Sequence, residues 1–210
     1  QHAGIPYIVI EKNAGLGGTW HENRYPGAGV DTPSHIYSYS FAKHDWTMHF
    51  ALQEEINAYF EEVAGRHGVR PNIRFNCAVR SARYDEDGMR WSVEIADESG
   101  RPETVTANVL VSAVGYLNVP KIPPIKGLGT FSGPLFHTAR WPQDLDLRGR
   151  RVALIGNGAS AMQIAPAIAG IVDRLTIFQR SKQWAAPFKQ FRQPISRGAR
   201  FMLREVPFYQ

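Results

Sequence analysis

Three small residues at fixed spacing, Gly156, Gly158 and Ala161, follow the apolar run RVALI in the stretch GNGASAMQ. A glycine in the first position permits a tight turn, and one in the second lets the backbone approach a pyrophosphate. A small third residue lets helix and strand pack closely. The pattern G-x-G-x-x-A after a strand and opening a helix therefore reads as a dinucleotide site, with Ser160 in the first helical turn. The cofactor is chosen where the next strand ends. Arg180 stands 24 residues after Gly156, followed by Ser181 and Lys182. A cation and a hydroxyl there suit a 2′-phosphate and predict NADP(H), where an acid would predict NAD. The bland alternative is a solvated arginine at a strand end.

Two further places carry chemical potential. Glu11 ends the run IPYIVIE, where a Rossmann unit places a ribose-binding acid. The stretch FSGPLFHTARWP, 131–142, gathers Phe131, Phe136, His137 and Trp141 with two prolines immediately upstream of the nucleotide pattern. On physics alone it reads as an aromatic linker packing on a core. Asp31, before Thr-Pro, reads as a turn-capping carboxylate. Cys77 reads as a small strand residue rather than a nucleophile.

The elements that must position these residues follow from periodicity. Ile5–Glu11 predicts a buried parallel strand and 13–18 a Gly-rich turn. Residues 19–50 are irregular, aromatic and too long for an ordinary connection, which marks a functional loop. Leu52, Ile56, Phe60 and Val63 recur at helical spacing and predict an amphipathic helix ending near Gly65 or Gly68. Three strand-like runs, Ile73–Tyr84, Met89–Ala96 and Thr104–Val111, joined by DEDG and DESGR, predict an antiparallel meander. Residues 115–150, with Pro120, Pro123, Pro124, Pro134 and Pro142, predict an extended linker. From Arg151 a strand, a helix over about 159–169 and the strand RLTIFQR make a βαβ unit. Pro166 inside that helix predicts a kink.

Composition removes several classes. The 210 residues are 43% hydrophobic and 20% charged, typical of a globular protein. No apolar run approaches the ~18 residues that span a bilayer. The net charge of +5 is scattered, without a basic run or a reading helix, so no nucleic-acid partner is expected. A single cysteine excludes a C-x-x-C disulfide reductase and fits a reducing cytoplasm. No metal site is expected.

With these residues in place, a resemblance emerges. Gly17-Gly18-Thr19-Trp20, followed by Asn23-Arg24-Tyr25-Pro26-Gly27-Ala28-Gly29-Val30-Asp31, resembles the flavin-side segment of Baeyer–Villiger monooxygenases. Phe131-x-Gly133-x-x-x-His137-Thr138-x-x-Trp141-Pro142 is similar to that family's fingerprint, and Ala113-Val114-Gly115 with Asn118 and Pro120 to its exit from the FAD domain. PSHIYSYSF and DLDLRGRRVALIGNGASAMQ look most like the 4-hydroxyacetophenone monooxygenase branch. Two departures stand out. Members open with an FAD-binding G-x-G-x-x-G, and they carry an active-site arginine further along the NADP domain. Neither has a counterpart here, so the sequence reads as an internal fragment.

The resemblance implies an α/β flavoprotein with two dinucleotide-binding domains. These are a partial FAD Rossmann domain with an antiparallel β-meander over 1–115, a linker over 116–150, and the first half of an inserted NADP Rossmann domain over 151–210. It implies FAD and NADPH as cofactors, with a ketone and O2 as partners. The reaction would insert one oxygen atom beside the carbonyl to give an ester or lactone, most simply from aryl ketones. Glu11 would bind the adenosine ribose of FAD, Gly17, Gly18, Thr19 and Trp20 would line the flavin, Val79 would meet the adenine and Tyr37 the isoalloxazine. Asp31 would be the active-site carboxylate, and the fingerprint would be a stiff hinge. Rival readings are a flavoprotein that oxygenates nitrogen or sulfur, and a chain that binds nucleotide without turnover.

Overall fold

A computed structural model describes residues 4–206. The outermost residues of the two expected domains, 1–3 and 207–210, lie outside the described residues. The chain forms an α/β fold of two compact units that do not follow chain order. One comprises residues up to 21 together with 60–118, the other 22–59 together with the chain from 119.

In the first unit, β1 (Val9–Ile10) pairs in parallel with β2 (Ile73–Arg74). The ladder continues as the Glu11 amide donates to the Arg74 carbonyl and the Cys77 amide to that of Glu11, each at 3.0 Å. The strand is shorter and more exposed than the apolar run predicts: Ile5, Tyr7 and Ile8 stand in solvent. Among the described residues β1 and β2 form a sheet of two strands. The predicted run 73–84 is interrupted at Asn76, whose φ of +53° is tolerated because its short amide side chain suits the left-handed region.

The meander forms as the alternation requires. β3 (Cys77–Asp85), β4 (Arg90–Asp97) and β5 (Pro102–Ala107) pair antiparallel in the order β3-β4-β5. Cys77, Val93 and Ile95 form its buried face, backed by Ile10, Trp91 and Val105. Cys77 is thus a packed, free thiol. β5 stops at Ala107, which faces Trp91, because β4 has almost run out into its turn there. Val109 and Val111, expected to continue the strand, are exposed instead.

The second unit holds the βαβ element. β6 (Arg151–Ile155) and β7 (Arg174–Phe178) are parallel, in register from Arg151 with Arg174 to Ile155 with Phe178. α3 (Ala159–Ile168) connects them and continues through Pro166. Ile164 and Ile168 are fully buried against Tyr25, Ala28 and Leu147. α2 (Gln53–Arg66) matches the predicted helix, with Ile56 and Tyr59 buried in this unit and Val63 in the other. Gly68, at φ +59°, ends the turn that follows it. No helix among the described residues is long and apolar enough to cross a membrane.

Candidate functional site

The nucleotide turn takes its shape from its glycines. Gly156 adopts φ +108°, a region that side chains avoid, while its amide donates to the Phe178 carbonyl at 2.8 Å. A Cβ at Gly156 or Gly158 would meet nothing within 4 Å, so the space in front of the turn is open. α3 begins at Gly158 without a side-chain cap, and its first backbone bond runs from the Met162 amide to the Gly158 carbonyl. The first-turn amides, including that of half-buried Ser160, therefore lack an intrahelical acceptor. Ala161 is buried, which explains a small residue there. Asn157, which spacing arguments did not single out, joins the two halves of the site. Its amide donates to Gln179 Oε1 at 3.0 Å and to the Ser181 carbonyl at 2.9 Å. It thereby holds the exit of β7, with exposed Arg180 and Ser181, beside the glycine turn.

The turn that ends in Asp31 packs against the same helix. Tyr25, Ala28, Gly29 and Val30 are buried, whereas Asp31 itself is exposed. Gly27, at φ +80°, approaches α3 so closely that a Cβ would fall 2.6 Å from the Gln163 carbonyl oxygen. The Gln163 side chain is buried between two partners of this turn. It accepts from the Tyr25 hydroxyl at 3.0 Å and donates to the Gly29 carbonyl at 2.8 Å. Arg192 donates to the Gly27 carbonyl from the other side, and burial pulls its guanidinium below the usual arginine value. Neither Gln163 nor Arg192 stood out in the sequence. The only signal for Gln163 is one amide amid the apolar residues of α3.

The aromatic segment 131–142 serves as structure before anything else. The Phe131 ring lies over Gly133, where a Cβ would fall 2.7 Å from it. Phe136 meets Trp141 edge to face at 5.1 Å, and Trp141 packs on the core of Ile164 and Ile168. His137 caps the short 3-10 turn Thr138–Arg140: its Nδ1 accepts from the Ala139 amide at 3.1 Å, which places any ring proton of the neutral form on Nε2. Arg140 pairs at 3.2 Å with Glu22, whose side chain is only 5% exposed. Pro142 follows, half-buried, and its carbonyl accepts from the Leu145 amide.

The flavin-side candidates divide between the units. Glu11, Gly17, Gly18, Thr19, Trp20 and Val79 belong to the first unit, whereas Asp31 and half-exposed Tyr37 belong to the second. Glu11 Oε1 accepts from the Asn13 amide at 2.7 Å. Gly17 and Gly18, at φ +113° and +52°, accept from the Trp20 and His21 amides and start the short helix α1 (Thr19–Glu22). Val79 borders a bulge in β3 and points an exposed side chain outward.

Comparison with known proteins decides the family. The family model described as L-lysine 6-monooxygenase/L-ornithine 5-monooxygenase matches residues 33–187. The chain belongs to this monooxygenase family. A Baeyer–Villiger monooxygenase of Streptomyces coelicolor is 46% identical over 202 residues, covering 96% of this chain and 38% of that protein. An uncharacterised monooxygenase of Sinorhizobium fredii, y4iD, is 49% identical over 100% of this chain and 32% of its own length. The crystal structure of OTEMO in complex with FAD and NADP superimposes with a TM-score of 0.87 at 38% identity, over 97% of this chain and 39% of that one. Relatives and solved structures also support a place among the Baeyer–Villiger monooxygenases. The chain spans about a third to two fifths of the length of the proteins it matches.

Proposed function

We propose that this chain forms part of an FAD- and NADPH-dependent Baeyer–Villiger monooxygenase that converts a ketone, most simply an aryl ketone, to an ester or lactone. The reading assigns 1–115 to the FAD side, 116–150 to the linker and 151–210 to the NADP side, with a cytoplasmic location. The observation that carries it is the open, uncapped turn at Gly156 and Gly158, tied through Asn157 to the strand exit bearing Arg180. These residues fit NADP(H): backbone amides for the pyrophosphate and a guanidinium for the 2′-phosphate. The left-handed Gly17 and Gly18 fit close approach of a flavin to backbone. FAD, when bound, supplies the redox and oxygen chemistry.

What remains for the chain is positioning and charge. Arg180 and Ser181 orient the nucleotide by its phosphate. Asp31, exposed at the end of a turn in which Tyr25, Ala28, Gly29 and Val30 are buried, presents a carboxylate that orients a cation beside the reacting oxygen. His137 keeps the linker turn closed through its cap, and its role in the reaction is indirect. The full-length protein bearing Asp31→Ala should retain a flavin spectrum while its yield of ester per NADPH falls at least about tenfold, the scale of one lost electrostatic contact. A wild-type yield removes Asp31 from the site.

A second reading, oxygenation of a nitrogen, is favoured by one observation, the description of the matching family model, which names L-lysine 6-monooxygenase and L-ornithine 5-monooxygenase. Supplying lysine and ornithine beside a panel of ketones, and analysing products by mass, separates the two.

A further inference from the structure

The buried amide of Gln163 is not accounted for by binding a nucleotide. It sits on the face of α3 turned toward the core, where neighbouring Ile164 and Ile168 are fully buried. A glutamine there costs desolvation unless both ends of its amide are satisfied. Both are, and both partners lie on one turn: Tyr25 gives its hydroxyl hydrogen to Oε1, and the Gly29 carbonyl takes one from Nε2. Gly27 brings that turn into contact with the α3 backbone, since any side chain would strike the Gln163 carbonyl. Val30, the last buried residue of that turn, donates its amide to the Ala51 carbonyl. The helix that opens at Gly158 and the turn that ends in Asp31 therefore meet at three alternate residues of the turn, Tyr25, Gly27 and Gly29.

We propose that Gln163 is a positioning residue that makes the nucleotide helix α3 and the Tyr25–Asp31 turn one rigid piece, so that occupancy of the glycine turn by NADP(H) is felt at Asp31. This rests on the proposed NADP(H) site. A satisfied amide bridge suits that role, because it fixes register where purely apolar packing permits sliding.

The test uses the full-length protein. Calorimetry with NADP⁺ reads binding, and hydrogen exchange reads the amides of Ala28 and Val30 with and without NADP⁺. In the wild type, NADP⁺ should slow exchange at these amides by about tenfold, within the usual range of coupling between sites. Gln163→Leu should bind NADP⁺ within about threefold of wild type yet lose that slowing, a split that a merely structural role would not give. Tyr25→Phe removes one arm only and carries the test if the leucine variant does not fold; about half of the logarithmic slowing should remain. Gln163→Glu should regain the slowing as pH falls, because only the protonated carboxyl can donate to the Gly29 carbonyl. Slowing that is equal in wild type and Gln163→Leu, or absent in a wild type that binds NADP⁺, overturns the coupling alone. A wild type that does not bind NADP⁺ overturns the NADP(H) reading and the coupling with it.

Discussion

Gly27 concentrates two constraints in one residue. Its φ of +80° excludes easy replacement, and the space where a Cβ would stand is filled by the α3 backbone. Gly27→Ala should therefore destabilise the chain by about 1–3 kcal/mol through strain and clash together. Denaturant unfolding measures this, and a loss under about 0.5 kcal/mol, the range of neutral surface changes, would show that the turn can retreat from the helix. At Arg180 the expectation is kinetic. Arg180→Ala should raise the KM for NADPH by about 10- to 100-fold, the value of a charge-assisted contact, and leave that for NADH nearly unchanged. An unaltered preference would return Arg180 to a solvated strand end. These two residues also mark what the sequence could disclose. Gly156, Gly158 and Arg180 were legible because their chemistry is local: a turn, a helix start, a strand exit. Asn157, Gln163 and Arg192 were not, because their partners lie 22 to 165 residues away and no spacing rule brings them together.

At the scale of elements, strong periodicity was a reliable guide. α2, the meander and the βαβ unit stand where alternation and 3.6-residue spacing put them, since each buries one face. The apolar run at Ile5 gave a parallel strand as expected, but a shorter and more exposed one: β1 covers Val9–Ile10, and Ile5, Tyr7 and Ile8 are exposed. The segment 183–196 and the helix α4 (Arg197–Glu205) carry no clear signal in the sequence. α4 is held to the loop before α2 by an ion pair: Arg200 donates to Asp45 at 2.8 Å, and Arg204 approaches the same carboxylate. The hydrogen bond from Arg200 lowers the Asp45 pKa. A depressed carboxylate stabilises the folded state above its ordinary pKa and loses that contribution as pH falls through the folded value. Amides of α4 should thus be protected at pH 7 and lose protection below about pH 4, after correction for intrinsic exchange. Arg200→Ala should remove this pH dependence; its persistence would assign the effect to another group.

The whole chain divides by contact in a way its order does not announce. Residues 22–59, which the resemblance assigns to the flavin side, pack with the βαβ unit that carries the nucleotide turn. An aromatic, histidine-bearing linker fits that arrangement: Trp141 completes the core of α3, His137 caps a turn, and Arg140 neutralises Glu22. The central claim is that this framework serves oxygenation beside a ketone carbonyl. Its most direct test supplies the full-length protein with FAD, NADPH, an aryl ketone and ¹⁸O₂, with lysine and ornithine in parallel reactions, and reads the products by mass. The account predicts an ester containing one ¹⁸O atom, formed with NADPH consumption that depends on the ketone. N-hydroxylated lysine or ornithine with no ester, or no oxygenated product from any of the three, would contradict it.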